Sequence, residues 1–226
     1  MFRLRHLLSL AALAIALAYG APAPAQTIID EWSSVKVPPP PELKPVTADP
    51  KTTALLVMDF IKQFCNMELR PRCVASIPRI EKLLAEARAK GVTIVYTLVP
   101  TAGPNVPAPV IGDTLPAVAP KGNEPVIASF VDKFMLNDKD TGLAAILKDK
   151  GITTVIVVGT AAHGAVLYTA SAAALRGFNV IVPVDGMSGV GQDIYVEQYV
   201  AYNLTRAPVV SPKVTLTRID MISFSN

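Results

Sequence analysis

Residues 155–177 read VIVVGTAAHGAVLYTASAAALRG. The apolar run Val155–Val158 meets Gly159 and a turn of small residues, and an alanine-rich segment follows as far as Gly177. A short continuous apolar run is the pattern of a strand buried on both faces, and a glycine closing a helical segment is a stop signal. Strand, tight turn and helix together form the repeating unit of a parallel α/β sheet. The passage from strand to helix is also where such folds present a nucleophile. Here that apex reads His163-Gly164-Ala165, with neither Cys nor Ser.

The same unit recurs along the chain. ALLVMDF (54–60) is an apolar strand, and SIPRIEKLLAEARAKG (76–91) a helix with Ser76 as N-cap, Pro78 in the first turn and Gly91 as stop. Ile77, Ile80, Leu83, Leu84 and Ala87 share one face of it. VTIVYTLVP (92–100), EPVIASF (124–130), TTVIVVGT (153–160), NVIVPVD (179–185) and KVTLTRID (213–220) read as further strands. TGLAAILKDKG (141–151), GAVLYTASAAALRG (164–177) and DIYVEQYVAYNL (193–204) read as helices between them. The fold class is therefore α/β: a six-stranded parallel sheet with helices on both faces, a Rossmann-like three-layer sandwich. Ligands of such sheets sit beyond the carboxyl ends of the strands, where the strand order reverses. The Pro- and Gly-rich loop Thr101–Asn123 is long enough to serve as a lid or an interface element.

Before this domain (52–226) the composition differs. Residues 1–25 have a basic start at Arg3 and Arg5, an apolar stretch from Leu7 to Tyr19 and Ala23-Pro24-Ala25 at the end. That layout is a secretory signal peptide, and the apolar stretch is shorter than a membrane-spanning helix needs. The expected location is periplasmic or secreted. Residues 26–51 form a proline-rich arm: Pro38–Pro41 favour an extended backbone, and Trp32 is a possible anchor. The chain carries 21 Lys and Arg against 18 Asp and Glu, and two of the basic residues fall in the leader. No basic cluster remains that would track a phosphate backbone, and no phosphate-binding glycine loop occurs, so a small-molecule substrate is expected rather than nucleic acid or a membrane. In an oxidising compartment Cys65 and Cys73, close in sequence, suggest a disulfide; two unpaired buried thiols are the alternative. The only histidines are His6 and His163, too few to build a metal site with two sulfurs, and no cofactor motif is found.

Two strand ends could carry chemistry on their residues alone. Asp59 follows an apolar run, and a carboxylate there must be paired or protonated, which makes it a candidate general acid or base; a turn-capping Asp is the alternative. The turn after the 153–160 strand places Ala162, His163, Gly164 and Ala165 where backbone N–H groups approach a ligand, with His163 open to a structural reading.

ALLVMDFIKQF, DKGITTVIVVGTAAHGAVLYTASAAALRGFNVIVPVDGMS and the order of elements resemble the isochorismatase-like, or cysteine-hydrolase, superfamily over roughly residues 52–193. The resemblance implies an Asp–Lys–Cys triad in most members. Asp59 matches the Asp, whereas the Cys falls on Ala165, so a covalent Cys mechanism is excluded there. Lys133 is the nearest lysine, while a register anchored on Phe134 puts Ala128 in the slot. The metal-binding His residues of nicotinamidase-type members are absent. True isochorismatases use no Cys and carry an AH before a small residue, which AAHGA resembles; in them an Asp protonates a vinyl ether and water completes the cleavage. Asp185 matches a position read as structural, and the family implies a homo-oligomer. Three readings follow: a Cys-independent hydrolase of a small anionic or enol-ether-like molecule with Asp59 as proton donor, a non-catalytic binding protein on the same scaffold, and a water-activating amide hydrolase.

Overall fold

The computed structural model describes residues 27–192 and 194–226. The expected leader, 1–25, lies outside the described residues, as does Asp193 at the start of the last expected helix. The chain divides into two units, with the boundary in the sequence between Pro38 and Pro39. In the described part of the first, a helical turn, Ile28–Glu31, runs into a 3-10 turn, Trp32–Ser34, and Trp32 leaves 68% of its surface exposed.

The second unit holds the sheet. Its strands are β1 (Thr53–Met58), β2 (Thr93–Leu98), β3 (Val126–Ala128), β4 (Thr154–Thr160), β5 (Asn179–Pro183) and β6 (Val214–Thr217). They lie parallel in the order β3-β2-β1-β4-β5-β6. A two-residue strand, Met187–Ser188, adds a parallel pairing to Gly159–Thr160 at the end of β4. The principal helices are α1 (Pro71–Ala89), α2 (Leu143–Asp149), α3 (Leu167–Leu175) and α4 (Tyr195–Arg206).

Period-two alternation divides the core. In β1, Leu55 and Val57 face one side with Ile94, Tyr96, Ile156 and Val158, and α1 covers them with Ile80, Leu83, Leu84 and Ala87. Ala54, Leu56 and Met58 face the other side with Val95, Val155 and Val157, under Leu143, Leu147, Ala170, Ala173, Val200 and Leu204 of the remaining helices. A sheet covered on both faces needs apolar residues at successive positions, and all six residues of β1 are buried.

The strand order reverses between β1 and β4, so the residues just beyond these strands border the crevice. Gly159 lets them approach each other. A Cβ there would stand 2.6 Å from both Cβ and O of Met58. Gly159→Ala is expected to cost roughly 1–3 kcal/mol by overpacking. It is also expected to displace the residue after Met58, so that activity falls further than a drop in melting temperature alone explains; calorimetry beside kinetics measures both.

Three features differ from the sequence expectation. Helix α1 starts at Pro71, not Ser76, and continues through Pro78. Pro71 occupies the first turn, where no N–H is needed, and the buried Ser76 hydroxyl instead donates to Cys73 O at 2.7 Å. The later part of the arm joins the sheet unit: Lys44 N–H bonds Leu216 O at 2.9 Å, and Val46–Ala48 pairs in parallel with an unanticipated strand, Ile222–Phe224. The 124–130 segment is a strand only at its centre, Val126–Ala128.

Candidate active site

Asp59 is the first residue beyond β1. The backbone turns there with φ 56°, a left-handed conformation that Asp tolerates better than most residues. Its N–H meets Thr97 O at the end of β2 (3.2 Å), and its own carbonyl accepts from the Thr160 hydroxyl at the end of β4 (3.3 Å). The carboxylate, 2% exposed, accepts from the Thr97 hydroxyl on Oδ1 (2.9 Å) and from Lys133 Nζ on Oδ2 (2.6 Å).

Lys133 is wholly buried. Its ammonium reaches Ser129 O at 2.9 Å and Phe130 O at 2.6 Å as well as Asp59, so its three protons are all committed. The segment that carries it folds back from β3. Lys133 N–H bonds the Thr169 hydroxyl of α3, which donates to Val131 O, and the Thr141 hydroxyl holds Lys133 O at 2.7 Å. Phe134 is buried beside Phe178 with Arg176 over its ring. Ala128, the other residue considered for this slot, ends β3 with its side chain exposed.

Burial pushes the Asp59 carboxyl up to about 6, opposed by the charge and hydrogen bond of Lys133 and the hydrogen bond of Thr97. Burial likewise pushes the Lys133 ammonium down, opposed by Asp59. A carboxyl titrating near 6 can hold a proton at neutral pH and still release it, which suits a proton-transfer group.

After Thr160 the peptide to Ala161 is cis, and Ala162–Val166 form a wide turn that opens α3. Ala162 and Ala165 are buried in the core beside Met58 and Met187, and His163 is exposed. Gly164 N–H is bonded to Ala161 O at 3.0 Å, and a Cβ on Gly164 would lie 3.5 Å from Val131 Cγ1. The structure thus brings Asp59 and Lys133 into contact and places the Ala162–Ala165 turn on the adjoining strand end.

The loop after β2 also closes on the site. Leu115 N–H bonds Phe60 O, Lys62 N–H bonds Asp113 O and Lys62 Nζ meets Asp113 Oδ1 at 2.7 Å, all at the segment leaving Asp59. Cys65 and Cys73 are joined in a disulfide, clamping that segment to α1. Closing so short a loop contributes on the order of 2–3 kcal/mol in the chain-entropy account. Asp185 accepts from Ile219 N–H at 2.9 Å, a structural contact. Among the described residues no cluster of metal-binding side chains occurs, and no helix is long and apolar enough to cross a membrane.

Sequence reasoning passed over Thr97 and Thr160, the polar ends of the two strands beside Asp59; a lone Thr closing an apolar run was the available signal. It also passed over Arg70, which is 8% exposed although it lies in a polar loop, and whose charge reaches Asp59.

The sequence model of the Isochorismatase domain matches residues 53–211. A secreted isochorismatase effector of Verticillium dahliae is 29% identical over 147 residues, which are 63% of this chain and 76% of that protein. Among solved structures, a cysteine hydrolase from Pseudomonas syringae pv. phaseolicola superposes with a TM-score of 0.64 at 20% identity, over 80% of this chain and 94% of its own. N-carbamoylsarcosine amidase from Thermoplasma acidophilum gives 0.60 at 22% identity, over 75% and 97%. These two likenesses establish the α/β architecture, and the domain match, which takes in β1, β4 and both members of the Asp59–Lys133 pair, places this chain in the isochorismatase family.

Proposed function

We propose that the chain is a Cys-independent hydrolase of a small molecule, with Asp59 as its general acid and base. The observation that carries this reading is the buried Asp59–Lys133 pair at the switch point, its carboxyl pushed up to about 6. With Ala165 in the position of the family's Cys, the reaction uses no enzyme nucleophile. An alkenyl ether suits this: protonated Asp59 delivers its proton to the terminal alkene carbon, leaving an oxocarbenium ion. Water adds to that ion and returns a proton to the Asp59 carboxylate. The hemiketal then separates into a ketone and an alcohol. Lys133, with no proton to spare, acts through Asp59 as a positioning residue. His163 and the Ala162–Ala165 turn border the substrate. Export fits the layout of residues 1–25, the Cys65–Cys73 bridge and the secreted relative.

The test is a panel of isochorismate, simple alkenyl ethers and small amides, read by ketone and by ammonia release. Ketone release from the ethers is expected, with kcat/KM constant at low pH and falling as pH rises through about 6, because the acid form of Asp59 is lost there. Ammonia release with the opposite limb, falling as pH drops below about 6, would transfer the assignment to an amide hydrolase with Asp59 as base. Folded protein inert to the whole panel would favour the binding-protein reading, which Ala165 supports.

A further inference from the structure

Arg70 precedes α1 on the loop that leaves Asp59, inside the span closed by the disulfide. Its side chain is more than nine-tenths buried. One hydrogen bond is formed, from Nη1 to Phe64 O at 3.1 Å, and the guanidinium lies over the Phe64 ring, 5.4 Å from its centroid. Nε is buried and has no partner. Among the described residues no carboxylate forms an ion pair with it.

A guanidinium taken out of water needs an anion or a full set of acceptors, and one carbonyl and one ring face supply neither. Burial lowers the Arg70 pKa, and Asp59 is the carboxylate whose charge opposes that shift. Yet Asp59 is already engaged by Lys133 at 2.6 Å. Two buried cations therefore act on the one carboxylate, Lys133 in contact and Arg70 through its charge from the loop that leaves Asp59, a surplus of one positive charge with Asp59 ionised and two with it protonated. Lys133 cannot present that surplus to a ligand, since all three of its protons are committed. Arg70 retains the donors, held in a planar fork that matches two carboxylate oxygens.

We infer that Arg70 is the anion-binding residue of this site and that the substrate is a small carboxylate, its CO2⁻ group held by Arg70 while the bond to be cleaved lies toward Asp59. The inference rests on the reading of Asp59 as the reacting acid only for which end of the molecule reacts; binding of the anion does not depend on it. The disulfide then has a local role, fixing the loop so that the guanidinium is in place before the ligand arrives.

Benzoate and benzamide share a ring and differ in charge, so the test compares their binding to the purified chain by titration calorimetry, with the Arg70 Nε–H resonance followed in nitrogen–proton spectra. Benzoate is expected to bind about 10- to 100-fold more tightly than benzamide, as one bidentate charged contact would give. Saturation should move the Arg70 resonance. Arg70→Gln should remove the preference, Arg70→Lys should retain part of it, and Asp59→Asn should keep it. That last variant separates failure of the anion site from failure of the proton-transfer reading. Equal affinity for the two probes, a preference that survives Arg70→Gln, or a saturated complex with the Nε–H resonance unmoved would each overturn the inference. So would absence of binding by acetate, pyruvate and benzoate alike. If Arg70→Gln does not fold, the resonance in the unaltered chain decides.

Discussion

Asp59→Asn is expected to lower turnover by about 10²- to 10⁴-fold, the range a single general acid supplies. The amide nearly reproduces the carboxyl's shape, so Thr97 keeps an acceptor opposite its hydroxyl while the transferable proton disappears. Asn also removes the charge that Lys133 faces at 2.6 Å, and the buried ammonium would then favour its neutral form. The measurement is steady-state kinetics on the responsive substrate, with melting curves run beside it. A loss of less than about tenfold in a folded variant would mean that the proton comes from elsewhere.

Lys133→Met carries the second large effect, and its signature is pH dependence. In the native chain Asp59 already titrates near 6, against 3.8 for an unperturbed Asp, because burial outweighs the help from Lys133. Without that help the folded-state value rises further. A carboxyl whose folded pKa exceeds its unfolded pKa contributes stability that is complete below the unfolded value and disappears as pH rises through the folded one. The variant is therefore expected to be nearest to the native chain in melting temperature around pH 4 and to fall progressively behind toward pH 8. Protonation caps the loss below the roughly 3–5 kcal/mol of a broken buried ion pair. Turnover should fall as well, because Ser129 O and Phe130 O lose their donor and the turn that shapes the site loosens. A stability gap independent of pH would show that Lys133 does not govern the ionisation of Asp59.

The sheet was legible because burial on both faces leaves a plain mark: ALLVM and VIVV are apolar at every position, and Gly91 and Gly177 punctuate the helices between them. Asp59 was legible for the same reason, as a carboxylate closing such a run. Lys133 was ambiguous because it follows the end of β3 by several residues, and its reach depends on a turn held by Thr169 and Thr141 from other parts of the chain. Spacing alone does not encode that fold-back. Arg70 left no signal, since an arginine among Glu68, Pro71 and Arg72 looks like solvated surface until the disulfide draws the loop inward. The start of α1 was misjudged because Ser76 and Pro78 imitate an N-terminus that Pro71 already supplies.

The small parallel pair Val46–Ala48 with Ile222–Phe224 has a consequence for how the chain folds. Thr47 and Ser223, bonded through their hydroxyls, are 176 residues apart, and the central β1–β4 pairing joins residues as distant as Val57 and Val158. Such contacts carry a large loop-closure entropy, so folding is slow and depends on topology. A nascent chain can assemble β1 with β2 while synthesis continues, but its outermost clasp waits for Ile222–Phe224, long after Val46–Ala48 has been made. Clipping that strand would leave a chain with its Asp59–Lys133 pair intact and Val46–Ala48 unsecured, vulnerable to proteases at its edge rather than at its centre.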